Sequence, residues 1–215
     1  MMKRNLFFLA VLIPVFSLQL SAQTSNEFVK DALANPNIKI TWLGADFSHC
    51  KIQDYLDCDP DRFAMMFVPA INNLTIAEPA KFDFAKYLKK SSFTSDLSAV
   101  TKSNETIQPD QMTQDTQKKL DDATINSIVS GYDLKDKEGI GAVIIYESLS
   151  KKNLYASMYF TYVKMPEGKV ILSKHVAEKP IGFGLRNFWA ATIFGFLKDY
   201  EKIYQKTWKA EYGIK

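Results

Sequence analysis

The sequence predicts a mixed α/β fold of the α+β class: an antiparallel meander packed against a long C-terminal amphipathic helix, with a further strand and helices before them. Three features predict it. Ala142 to Tyr146 is a near-continuous apolar run, Leu154 to Val163 is dense in aromatic and β-branched residues, and Lys169 to Val176 has the same strand character. The turns between them, Ser150-Lys151-Lys152-Asn153 and Met165-Pro166-Glu167-Gly168, leave no room for a crossover, so the three strands pair antiparallel. From Asn187 to Trp208, the residues Trp189, Ile193, Phe196, Tyr200, Ile203 and Tyr204 recur at helical spacing. Neither that stripe nor the meander can stay in water alone, so the helix is expected to lie across the sheet. Phe194 falls off the stripe and is expected to be its exposed member.

The upstream elements follow in order. Residues 26–34 read as a short helix, punctuated by Asn35-Pro36-Asn37. Ile38 to Leu43 alternates as a strand and continues toward Ile52. Asp57-Cys58-Asp59-Pro60-Asp61 is a turn into a helix, since the missing N–H of proline is not needed in a first turn. Residues 64–76 are apolar enough for a buried helix, in which Pro69 must begin a new segment or kink the old one. Residues 82–88 suggest a helical turn or two, residues 93–100 a strand, and Thr101 to Lys119 a polar loop running into a helix. Ile125, Ile128, Val129 and Tyr132 share one helical face, and Gly131 sits where a left-handed cap would end it.

Met1-Met2-Lys3-Arg4, the apolar run at 6–16 and the small-residue stretch ending at Ala22 have the order of a secretory signal peptide. The apolar run is too short to span a bilayer, which needs about 20 residues. Residues 1–22 are therefore expected to be cleaved, leaving residues 23–215 as a single α+β domain, periplasmic or secreted. No transmembrane anchor should remain after cleavage, and no cysteine at the cleavage site offers a lipid anchor. The chain is 47% hydrophobic and 13% aromatic, enough to supply a substantial core. It carries 27 basic and 24 acidic residues, and Lys3 and Arg4 leave with the leader. The near-neutral remainder gives no electrostatic reason for nucleic acid binding.

Several side-chain sets are candidates for chemistry. Cys50 and Cys58 lie close together in the exported part, and either pair as a disulfide or remain two buried thiols. Asp57, Asp59 and Asp61 copy the opening of a calcium loop, but Arg62 and Val68 stand where that loop needs glycine and glutamate. A non-EF metal site is one reading; the other is that these aspartates shape the turn and cap the helix after it. Gly182, Gly184, Arg186 and Asn187 precede the long helix and form a candidate ligand-binding turn; alternatively the glycines permit a tight connection and Asn187 caps the helix. The sequons at Asn73 and Asn104 matter only in a eukaryotic secretory pathway. There is no G-x-S-x-G, HExxH or CxxC. His49 and Cys50 are adjacent, which on a strand turns them to opposite faces, while His175 could approach Cys50 only through the fold. No cofactor is expected.

The runs GIGAVIIYESL, YASMYFTYV, GKVILSKHV and GFGLRNFWA, with the central FVPAINNLTIAEPAKFDFAKYL, resemble uncharacterised exported proteins of the Bacteroidota. The Ala22-Gln23 junction suits that group. The resemblance spans most of the mature chain and implies an export address without an activity. More loosely, a meander followed by a long helix is similar to envelope-assembly lipoproteins of the penicillin-binding-protein activator and curli secretion factor type. That similarity implies a non-catalytic scaffold, although the lipidated cysteine is missing here. The leading expectation is a non-catalytic binding or envelope-assembly module, its partner an envelope protein or a small ligand. Two rivals stand beside it: a hydrolase of an envelope polymer using carboxylates from Asp46 and the Asp54 to Asp61 region, and a carrier of an apolar ligand.

Overall fold

The structure, a computed structural model, describes residues 26–54, 58–113 and 119–215. The expected signal peptide lies outside the described residues, as does Asp57. After a helix at 26–34 (α1) come β1 (Ile40–Asp46), β2 (Lys51–Ile52), α2 (Pro60–Arg62), α3 (Val68–Ala77), α4 (Phe84–Tyr87), β3 (Phe93–Ser95), α5 (Ser98–Asn104), α6 (Pro109–Met112) and α7 (Asp122–Ser130). The meander follows as β4 (Gly139–Ser150), β5 (Tyr155–Met165) and β6 (Lys169–Glu178), and then α8 (Leu185–Asp199) and α9 (Lys206–Glu211). Among the described residues, no helix is long and apolar enough to cross a membrane.

The fold is α+β; among the described residues six strands form one mixed sheet of order β3-β1-β4-β5-β6, with β2 added to β4. The meander is antiparallel as expected. Its partner half is parallel: β1 runs alongside both β3 and β4. Strand β4 is buried on both faces, which explains its near-continuous apolar run. Ala142, Ile144 and Tyr146 face a core closed by α1, α3, α4, α8 and α9, while Val143 and Ile145 face a smaller core under α5 and α7. The run at 93–100 is not one strand. Pairing stops at Ser95, and the Asp96 carboxylate accepts the Ser98 N–H at 3.0 Å, turning the chain into α5.

The long C-terminal helix lies across the sheet. Phe196 meets Phe160 at 4.7 Å between ring centroids, and two hydroxyl pairs, Tyr146 with Thr192 at 2.6 Å and Tyr162 with Tyr200 at 3.0 Å, set its position on the strands. A π segment, Tyr200–Gln205, joins α8 to α9. Its wider turn shifts the phase of the buried stripe. Ile203, expected on the stripe, is therefore 53% exposed, while Gln205 turns inward and donates to the Leu33 carbonyl of α1. Phe194 is half-buried rather than exposed, packed edge-on against Phe82 and Tyr87.

Pro69 has the effect expected of it. A π segment, Phe63–Phe67, precedes α3, and the Val68 N–H reaches back five residues to the Phe63 carbonyl. Pro69, without an N–H, then occupies the first turn of a fresh α-helix, where none is required. Gly131 does not supply a left-handed cap: its φ is −78°, and its N–H bonds the carbonyls of Ser127 and Ile128 within right-handed backbone.

Candidate functional site

The site begins where β3 is too short. Its three residues cover β1 only from Ile40 to Trp42, so among the described residues no strand lies beside the rest of that β1 edge. Backbone polar groups left unpaired in a buried position would be costly. Two asparagines meet them instead. Asn72 on α3 accepts the Ala45 N–H at 2.7 Å and donates to the Ala45 carbonyl at 2.9 Å. Asn104 at the end of α5 donates to the same carbonyl at 3.0 Å and accepts the Phe47 N–H at 2.7 Å. Gly44, at φ 119° beside a bulge in β1, makes this approach feasible: a Cβ there would lie 2.8 Å from Asn72 Oδ1.

Asp46 completes the strand end. It is fully buried and receives three donors: the Ser48 N–H at 2.7 Å, the Ser103 hydroxyl at 2.8 Å and the Tyr132 hydroxyl at 2.7 Å. Burial and the Asp46 charge push the Tyr132 pKa well up, which keeps this hydroxyl a donor. The C-terminal tip of β1 is thus held by helices from both faces of the sheet, α3 on one side and α5 on the other.

A groove of about 600 Å³ opens between these helices. Its walls are largely apolar, with Ala64, Met65, Val68 and Pro69 facing Ile107 and Pro109. Asn72 and Asn104 form the polar floor, and Asp61 and Glu105 lie at the lining. Met65 is 76% exposed, so a large apolar side chain stands open to solvent at the groove. A second pocket of about 320 Å³ lies on the other side of the segment joining α5 to α6. Glu105, Ile107 and Pro109 line the first cavity, whereas Thr106 and Gln108 line the second, together with His49, Cys50, Lys51 and Lys119.

The residues singled out in the sequence are scattered. Among the Asp57, Asp59 and Asp61 set, Asp59 caps α2 by accepting the Arg62 N–H at 2.7 Å, and Asp61 sits in the first helical turn and lines the groove. Among the described residues no group of three metal-ligating side chains converges. Cys50 and Cys58 are free thiols rather than a disulfide. Gly182, Gly184, Arg186 and Asn187 border neither cavity. Asn187 does not cap α8: the helix starts at Leu185 from Gly184 at φ 78°, so Asn187 is already inside it, and its side chain accepts from Arg186 Nε at 3.2 Å.

The hydrolase reading loses most of its carriers to structural bonds. Asp46 is buried and engaged by three donors, Asp54 holds the Ser150 hydroxyl and the Lys151 and Lys152 N–H groups, and Asp59 is a cap. A nucleophile–base pair fares no better. Cys50 is buried, its pKa raised chiefly by that burial, and His175 instead contacts Ser157 at 2.7 Å. Ser157 is itself buried and donates its one proton to Glu147 at 2.8 Å. The His175 Nε2 must therefore be the donor to Ser157, the reverse of what activating a serine requires.

No known family, curated protein or solved structure matches the chain. Of the residues that matter most at the site, Asn72, Met65 and Ile107 carry no motif in the sequence, and Asn104 stands out there only as a sequon. The one local signal was Asn72-Asn73 inside an otherwise apolar helical run, a polar residue placed where burial was expected.

Proposed function

We propose that this protein is an exported, non-catalytic binding module of the cell envelope, related to the exported Bacteroidota proteins it resembles, and that the groove at the tip of β1 takes its ligand. The observation that carries the reading is the groove itself. Its volume falls within the range that holds small molecules, and its apolar walls with a few fixed polar groups are the usual composition of such sites. The floor asparagines are occupied in holding backbone, so they shape and orient rather than react. The ligand is accordingly a small molecule with an apolar body and at most a few polar groups, which merges the binding-module and carrier expectations.

Native mass spectrometry of protein purified from its own envelope fraction tests the reading. A retained small molecule, released on unfolding, is the expected result. Repeated recovery of the bare mass, with no ligand taken up from an envelope extract, counts against it. The export component is tested separately by sequencing the amino terminus of the native material, where a start at Gln23 is expected and a start at Met1 contradicts it.

A further inference from the structure

The connection from β6 to α8 holds large apolar side chains away from the fold. Phe183 is 95% exposed and Ile181 is 60% exposed. The flanking glycines, Gly182 at φ 115° and Gly184 at φ 78°, occupy backbone space that residues with side chains rarely adopt. The path of the loop is therefore set by the two residues without side chains, and the phenylalanine between them is presented outward. Chain closure needs the glycines; it does not need Phe183, which buries almost nothing and so contributes little to folding.

The sheet register brings a second tip to the same place. Ala156 pairs with Glu178, so Leu154 and Lys179 leave adjacent strands at one end of the sheet. Leu154 is 41% exposed, and the Lys151 ammonium of the same turn lies 5.9 Å from the ring of Phe188 in the first turn of α8. Three apolar tips thus project from one end of the molecule. Lys152, Lys179 and Arg186 are exposed around them and form no ion pair among the described residues.

We propose that this end is a membrane-surface contact, in which Leu154, Ile181 and Phe183 enter the headgroup layer of an anionic bilayer while Lys152, Lys179 and Arg186 lie against its charged lipids. Cations outnumber the carboxylate at these turns, Asp54, whose oxygens accept from the Ser150 hydroxyl and the Lys151 and Lys152 N–H groups, so the apolar tips and their surroundings match an anionic interface in both hydrophobicity and charge. The tips stand on two separate connections, and none of them lines the cavities described above. A fluid bilayer admits each one independently, whereas a protein partner would need a matching pocket for each. The contact is peripheral, and it does not depend on what the β1 groove binds.

Sedimentation of the purified protein with phosphatidylcholine vesicles, with and without roughly a third phosphatidylglycerol, tests the proposal. Binding is expected to the anionic vesicles and to weaken with salt. Replacing Lys179→Gln and Arg186→Gln together should weaken it about thirtyfold at low salt, and Ile181→Ser with Phe183→Ser should abolish it. A Phe183→Trp variant should shift its emission to the blue on binding. All of these positions are exposed, so an unchanged thermal melt separates lost binding from lost fold. Failure to bind anionic vesicles, binding that both double variants retain, or self-association of the protein through Phe183 in their place would overturn the assignment.

Discussion

Asn72 stands in for a β-strand opposite Ala45: one carboxamide accepts the Ala45 N–H at 2.7 Å and donates to the Ala45 carbonyl at 2.9 Å, as a neighbouring strand would. Replacing Asn72→Ala leaves both groups buried with one partner fewer each, at a cost of about 2–4 kcal/mol. Gly44→Ala attacks the same contact from the other side, through its positive φ and the 2.8 Å approach to Asn72, and should cost roughly 1–3 kcal/mol or more. Urea unfolding of the two variants measures both. Losses well below 1 kcal/mol in each would show that the strand end does not rely on this clamp.

The Tyr146–Thr192 pair between sheet and helix should respond asymmetrically. Thr192 spends its proton on the Trp189 carbonyl at 2.7 Å, so Tyr146 must be the donor across the 2.6 Å contact. Thr192→Val strands the buried tyrosine O–H and should cost about 1–3 kcal/mol. Tyr146→Phe leaves the Thr192 bond to Trp189 intact and should cost about 1 kcal/mol or less. A double-mutant cycle by chemical denaturation checks the order, and equal single costs would reassign the proton.

How far these relationships could be read in advance depended on their range. The meander was legible because its turns are short and β4 is apolar on both faces, which are local facts. Strand β3 was not separable from α5, because three residues in a parallel pair take their identity from Ile40 to Trp42, about fifty positions away. Extrapolating the stripe at a constant helical period placed Ile203 inside, and the π segment at Tyr200–Gln205 moved it out. At the candidate site, the oddity of Asn72 in an apolar helix was visible, but its partner at Ala45 belongs to the fold. The glycine turn at Gly182 and Gly184 was visible too; the sequence could not show that it lines neither cavity.

Glu178 makes part of the stability depend on pH. Burial against α8 is the main cause raising its carboxyl from the ordinary 4.5 to about 7; the hydrogen bond from Tyr204 at 2.8 Å opposes the rise and Asp199 adds to it. The folded state thus holds this proton more tightly than the unfolded chain. Its contribution is fully present below about pH 4.5 and is lost as pH rises through about 7. Thermal melts of wild type and Glu178→Gln across that window should converge at the acid end and separate as pH rises, with the variant the less sensitive. Identical pH profiles would contradict the assignment.

The two thiols should differ in reactivity. Cys50 is buried and its pKa is raised by that burial, while Cys58 is partly open and shifted upward mainly by desolvation, with Asp59 adding to it. A maleimide added to native protein should label Cys58 first, and Cys50 only once the chain unfolds, as peptide mass mapping would show. Resistance of both thiols to labelling even after unfolding, lifted by reductant, would reveal a disulfide instead.

The central claim, that ligand enters between α3 and the segment after α5, is tested most directly by methyl NMR of the protein titrated with an organic extract of the envelope. The Met65 and Ile107 methyl signals at the groove should shift together with that of Ala64, while Met158, buried in the main core, stays still. An extract that moves none of the three groove methyls, or moves only signals elsewhere in the molecule, would contradict the account.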